Sequence, residues 1–310
     1  MSTNLDDCAR LVAERMRWLR VIPFLGAGVN LADRPTAARW SRGVDLPSGG
    51  ELAKTLADKY RYPSSEPGGD LMRVSQYVES TVGETAIYDE LRDVFGGAYE
   101  PTVVHKVLAR VPTILEEKGV AHPYLLIVTT NYDDGQEKAF DEAGVEYDVL
   151  WYMARGDHRR QFIHQAPGED PTAVDDPARS LLSVERRSVI LKIHGATCRP
   201  DVELDSYVIT EDHYIEYMSG TDLAVAVPVK LMTTMLEGHF LFLGYRLGDW
   251  NLRVFLHALW AKRSKTATSW SVNHEHRELD RLFWQKRSVE MIEAPLADYM
   301  DSLEKALTEL

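Results

Sequence analysis

Apolar positions in this chain gather into short, nearly unbroken runs that stop at glycine or at a cluster of small polar residues. Residues 21–25, Val-Ile-Pro-Phe-Leu, end at Gly26-Ala27-Gly28. Residues 124–128 end at Thr129-Thr130-Asn131-Tyr132-Asp133, residues 188–193 at His194-Gly195, and residues 240–243 at Gly244-Tyr245-Arg246-Leu247-Gly248-Asp249. Runs of this kind, without polar alternation, predict strands buried on both faces of a parallel sheet. Each polar block then stands at the carboxyl end of a strand, where ligands of open parallel sheets bind. Residues 149–153, 270–272 and 289–292 read as further short strands.

Between the runs, apolar residues recur at steps of three and four. Leu5, Cys8, Val12, Met16 and Leu19 mark a first helix, and Ser48-Gly49-Gly50-Glu51 has the spacing of a capping box ahead of Leu52, Leu56 and Tyr60. From residue 70 to 118 one helical pattern follows another with no strand, which predicts a helical module inserted over residues 62–121 and roofing the pocket. Residues 136–140 form a helix that Gly144 ends; further helices are expected over 210–218, 225–237, 278–285 and 296–307. Residues 156–180 carry prolines, glycines and acids with little periodicity, so they read as a long loop: a lid, a partner surface or a mobile insertion. Strands alternating with helices give an α/β fold, a Rossmann-like parallel sheet with helices on both faces and an inserted helical module. Residues 1–61 and 122–310 would form the sheet domain.

Composition narrows the partners. The chain has 310 residues, 45% of them hydrophobic and 27% charged, with 35 Lys plus Arg against 48 Asp plus Glu and a net charge of -13. That balance argues against direct nucleic-acid binding, which needs concentrated cations. The basic clusters at 155–160 and Arg186-Arg187 read as solvated loop charge. Two cysteines, Cys8 and Cys198, make neither a disulfide framework nor a four-cysteine zinc site within one chain, so a reducing cytoplasm is the expected compartment. The acidic N-terminus lacks the pattern of a signal peptide, and no apolar run is long enough to cross a bilayer. His274-x-His276 lacks a third placed ligand and reads as a solvated turn, so no metal is expected.

Taken in order, the Gly-Ala-Gly loop, the Thr-x-Asn-x-Asp block, the His-Gly pair and the late glycine loop resemble the sirtuin superfamily over most of the chain. The likeness is strongest to the bacterial sirtuin-like NADases of antiphage defence. It implies one NAD pocket at the strand ends, with NAD as substrate. Gly26, Ala27 and Gly28 would face the pyrophosphate, with Asn30 where sirtuins often have Ser. Thr130 belongs to the second block, Gly244 and Asp249 would lie near the adenosine half, and Asn273 would meet the adenine ribose. Asp249 equally suits a helix cap.

His194 matches the sirtuin general base, and imidazole titrates near neutrality. Asn131 matches the Asn that contacts the nicotinamide ribose and an ordered water. Asp133 would hold the nicotinamide amide, stabilise positive charge on the ribose, or cap the next helix. The Pro-Asp-Phe-Arg stretch by which sirtuins grip nicotinamide is absent; Asp33 and Arg34 would do part of that work. Without that stretch and without a zinc ribbon to support an acyl-lysine cleft, water is the expected nucleophile and nicotinamide plus ADP-ribose the products. The alternatives are an NAD-dependent protein deacylase and a non-catalytic NAD or ADP-ribose sensor. An unrestrained NADase would drain its own cell, so the resemblance implies a homo-oligomer and control by a HerA-type ATPase, a short Argonaute or a phage-derived trigger.

Overall fold

The computed structural model describes residues 5–18, 21–35, 38–63, 65–66, 69–220, 226–245, 253, 255–257, 259, 268–274 and 278–310. Among them run α1 (Leu5–Arg17), β1 (Val21–Leu25), a 3-10 turn (Ala27–Leu31), α2 (Gly49–Lys59), α3 (Leu71–Val82), α4 (Glu84–Phe95) and α5 (Val103–Glu117). Then come β2 (Leu126–Thr129), α6 (Gly135–Ala143), β3 (Tyr147–Tyr152), β4 (Phe162–Gln165), β5 (Thr172–Ala173) and β6 (Ser188–Lys192). The chain closes with α7 (Glu211–Gly220), α8 (Val229–Glu237), β7 (His239–Leu243), β8 (Ser269–Asn273), α9 (Glu278–Gln285), β9 (Val289–Glu293) and α10 (Leu296–Thr308).

The strands form one sheet in the order β5-β4-β3-β6-β2-β1-β7-β8-β9. From β3 to β9 every pairing is parallel, with Leu25 beside Thr129 on one side and Leu243 on the other, and Thr129 beside Lys192. The carboxyl ends of β6, β2, β1 and β7 therefore lie side by side, and the described residues of the four polar blocks come together there. The α/β reading with its Rossmann-like sheet holds. One segment differs from expectation: residues 156–180 are not structureless, since β4 pairs antiparallel with β3 and β5 with β4. Phe162 and Ile163 are buried there, but four- and two-residue strands are too short to show a period in the sequence.

Both faces of the sheet are covered, as the unbroken apolar runs require. Val21, Leu25 and Ile127 pack with α1, α5, α6 and α10; Ile22, Phe24 and Val128 face α7, α8 and α9. Phe24 sits among Phe240, Phe242, Tyr245 and Phe255 at ring-centroid separations of 5.4–6.1 Å. A third core, from Leu52, Leu56, Val74, Val78, Ile87 and Leu91, joins α2, α3 and α4 into a roof that rests on Tyr132 and Tyr207. α5, also within the 62–121 stretch, packs instead against the sheet layer. The capping box forms as the spacing predicts: the Glu51 N–H donates to Ser48 Oγ and the Ser48 N–H to Glu51 Oε2. Gly144 ends α6 in the left-handed region.

Phe24 is 0% exposed, so Phe24→Ala should lower stability by about 3–5 kcal/mol. Denaturant titration checks this, with the midpoint moving and the slope unchanged.

Candidate active site

Two glycine loops dock on each other. The Gly26 N–H donates to Leu243 O at 3.0 Å and the Gly28 N–H to Gly244 O at 2.9 Å. A Cβ at Gly26 would lie 2.5 Å from Tyr245 Cδ2, and one at Gly28 would lie 2.6 Å from Gly244 O. Gly244 itself is left-handed, with φ +63, and presses on Gly28 and the Val29 N–H. These glycines thus let two strand-end turns touch backbone to backbone, and their own N–H groups serve that contact. Ala27 is the exposed residue of the loop. It opens the 3-10 turn, where a backbone N–H lacks an intrahelical acceptor and suits an anion.

The second block fastens to the first. The Thr130 N–H and Thr129 Oγ1 both donate to Leu25 O, at 3.2 and 3.1 Å. The Asn131 N–H donates to Thr129 Oγ1 at 3.0 Å, and Asn131 Nδ2 to Gly26 O at 3.2 Å. Its amide nitrogen is thereby engaged, while Oδ1 has no donor among the described residues. Asp133 is 4% exposed. One of its oxygens accepts from the Gly135 N–H at 3.0 Å, which is a role at the start of α6, and the other from Asn30 Nδ2 at 2.8 Å. Asp33 accepts from the Val103 N–H at 3.0 Å and Arg34 pairs with Glu51. Both therefore brace α5 and α2 in this structure. Thr102 Oγ1 adds a bond to Val29 O at 3.0 Å.

His194 lies one strand further along, on the residue pair after β6. Its carbonyl accepts from the Val208 N–H at 2.8 Å, and Gly195, at φ +96, passes so close to Ser206 that no side chain fits. The His194 ring meets the rings of Tyr214 and Tyr217 from α7 edge to face, at 5.4 and 5.5 Å. Burial pushes its pKa down to about 3. The imidazole is therefore neutral throughout the physiological range, an acceptor for a hydroxyl or water proton rather than a cation.

Asn273 Nδ2 donates to Tyr245 O at 2.7 Å, which places it beside the Gly244 turn. Asp249 lies outside the described residues, as do Arg246 to Gly248 and His276. Glycine loop, Asn30, Thr130, Asn131, Asp133, His194, Gly244 and Asn273 are thus gathered along the carboxyl ends of neighbouring strands.

The sequence reading passed over three contributors. Lys192 ends β6 wholly buried, donates to Asp133 O at 2.6 Å and pairs with Glu137. A lysine within the otherwise apolar run of residues 188–193 was its signal. Tyr214 and Tyr217 stand three apart on a predicted helix and so share a face. A cavity of ≈ 490 Å³ is lined by residues of α6, β3 and the segments at 165–168 and 196–200.

Comparison with known proteins now decides the family. Residues 125–292, more than half of the chain, match the model of the SIR2-like domain. The chain belongs to that family. It is 26% identical over 273 residues to "Defense-associated sirtuin 2" of Bacillus subtilis, covering 85% of this chain and 21% of that protein. It is 29% identical over 189 residues to "NAD(+) hydrolase ThsA" of Acinetobacter baumannii, covering 60% of this chain and 30% of the other. The chain thus spans less than a third of the length of either relative. Among the described residues no helix is long and apolar enough to cross a membrane, and no group of His, Cys, Asp and Glu is arranged to hold a metal.

Two outcomes follow from this geometry. Gly244→Ala combines a left-handed backbone with a collision against the Gly28 loop, so it should cost at least about 1–3 kcal/mol, read as a lowered melting temperature. His194 has a folded pKa below the usual 6.5 because of burial, so its contribution to stability is complete above pH 6.5 and is lost as pH falls toward 3. Burial lowers His105 and His213 in the same direction. His194→Asn should therefore reduce the acid slope of stability by up to about 1.4 kcal/mol per pH unit. Denaturation between pH 6.5 and 5, above most carboxylate titration, isolates the effect.

Proposed function

We propose that this protein is an NAD+ glycohydrolase of antiviral defence, cleaving NAD+ to nicotinamide and ADP-ribose. The observation that carries this reading is the placement of Asn131 and His194 at neighbouring strand ends beside the glycine loop, since binding alone would need neither. A relative named as an NAD(+) hydrolase and one named as a defence-associated sirtuin support it. So does the burial of His194 against Tyr214 and Tyr217, which keeps its imidazole neutral and able to accept a proton.

In the reaction the bond between ribose C1′ and the nicotinamide nitrogen breaks, and its electron pair returns to the ring and cancels the pyridinium charge. Water adds to C1′. Asn131 Oδ1 would hold that water, and His194 would accept the proton it releases. The pyrophosphate would lie over Ala27 and the 3-10 turn, and the adenosine half toward Gly244 and Asn273. Restraint by self-association or by a partner protein belongs to the same proposal, because the reaction consumes a common cofactor.

Incubation of the purified protein with NAD+, followed by chromatography, tests the reading: nicotinamide and ADP-ribose should appear in equal amounts. Release of neither, alone or with a partner, would overturn it. His194→Ala should lower turnover by roughly 10²–10⁴ with the circular dichroism spectrum retained. Asn131→Ala should lower kcat more than it raises KM, because its contact strengthens as the bond breaks.

A further inference from the structure

The cavity of ≈ 490 Å³ has the size of a small-molecule site, which is commonly about 300–1,000 Å³. None of Ala27, Asn30, Asn131, Asp133 and His194 lines it, so it is distinct from the strand-end site. Its first wall is β3, where Tyr147, Val149 and Trp151 alternate along the strand and so share the face that lines the cavity. Its second wall is α6 with its N-cap. Asp134, Glu137, Lys138 and Asp141 stand there at i, i+3, i+4 and i+7, on one side of the helix.

Charge in this cavity is unbalanced. Both of its lining cations are engaged by one carboxylate: Lys138 pairs with Asp134 at 3.0 Å, and Arg199 pairs with it while donating to Gly96 O and Gly97 O. The lining acids Asp141 and Glu146 make no ion pair among the described residues, and Asp141 accepts only the neutral Tyr147 hydroxyl, at 3.0 Å. Glu137 gives Oε1 to Lys192, while its Oε2 is buried with no donor among the described residues. Burial pushes the Glu137 pKa up against the pull of Lys192. Burial, and then the charges of Glu137 and Asp141, push the Tyr147 hydroxyl up as well. A buried acceptor without a partner calls for one. A neutral hydroxyl would satisfy Oε2 but leave the excess negative charge unmet; an ammonium does both. Glu137 and Asp141, four apart on α6, are neighbours on the helix surface and can share it.

We propose that this cavity is a second ligand site, for a small organic amine whose ammonium group is shared by Glu137 and Asp141 and whose carbon skeleton lies against Tyr147, Val149 and Trp151. The carboxylates select a cation, and the β3 wall selects one with an apolar body. Inorganic cations and neutral alcohols each meet half of that requirement.

Calorimetric titration of the full chain with 2-phenylethylamine, in physiological salt and without NAD+, tests the proposal. Wild type should bind one equivalent with a Kd of about 1 mM or tighter, and at least about tenfold more tightly than the neutral 2-phenylethanol. Glu137→Gln keeps the shape of the side chain and removes its charge, so it should weaken amine binding by about tenfold or more. Because Glu137 also holds Lys192, a second variant decides should that one fail to fold: Ala166→Phe fills the cavity from a half-exposed position just after β4 and should weaken binding as much. Thermal melts establish which variants fold. Asp58→Asn, which removes an exposed carboxylate of α2 outside the cavity, should bind as wild type does. No binding by wild type, equal affinity for the alcohol, or binding that survives in folded Ala166→Phe overturns the proposal. An equal loss in Asp58→Asn would assign the binding to general attraction by the acidic surface and overturn it too. The titration contains no NAD+, so each of these outcomes is distinguishable from a failure of the NADase reading.

Discussion

The arrangement at the strand ends depends on two backbones touching. Gly28 donates to Gly244 O, and neither loop has space for a Cβ on the other's surface. That contact closes the gap between β1 and β7 beyond the last ladder bond. It also aims the carbonyl of Gly26 at Asn131 and the 3-10 turn at Asp133. Asn131 and Asn30 are then placed by bonds to the loop or from it, and α5 is tied on through Thr102 and Val29. The glycine loop reads as a phosphate cradle from sequence; in the folded chain it is first a joint. The two roles are compatible because only Ala27 stays exposed while its neighbours are engaged.

The fold was largely legible in the sequence because a parallel sheet buries its strands on both faces and so writes them as apolar runs. Residues 21–25, 188–192 and 239–243 carry that signature with almost no ambiguity. β4 and β5 do not: they pair at the edge, and their register comes from β3 rather than from any pattern of their own. The division of labour within residues 62–121 was equally invisible. The periodicity of α5 resembles that of α3 and α4, yet it packs under the sheet while they pack on each other. A helix's stripe says that it has a buried face, not which partner covers it.

At the strand ends, placement was legible and partnership was not. Asn131, Asp133 and His194 could be picked out from their strand-end positions and the family likeness. Nothing in the sequence, however, shows that Asp133 accepts from Asn30 and from the Gly135 N–H, or that Asp33 serves the start of α5. Hydrogen-bond capacity is a finite count for each side chain. A carboxylate found in a pocket motif keeps for a ligand only the acceptor sites that the protein has not already taken. Lys192 makes the same point from the other side. A buried ammonium is costly unless paired, so its presence at the end of β6 requires Glu137 and the Asp133 carbonyl, which are far from it in sequence.

That pairing bears on the chemistry proposed for the site. As a glycosidic bond to a pyridinium breaks, positive charge passes from the ring to the ribose, and any unpaired cation nearby would oppose the change. Among the described residues Lys192 is the buried cation of these strand ends, and its charge is met by a carboxylate and a backbone carbonyl. His194 is kept neutral by burial. The groups left at the strand ends are then acceptors: the imidazole, the two asparagine carbonyl oxygens, and a carboxylate set behind Asn30. In a site shielded from water such an arrangement favours a cationic transition state without reorganisation at the moment of reaction. Burial thus keeps His194 uncharged while the glycosidic bond breaks, and it takes up charge only with the proton that the attacking water releases.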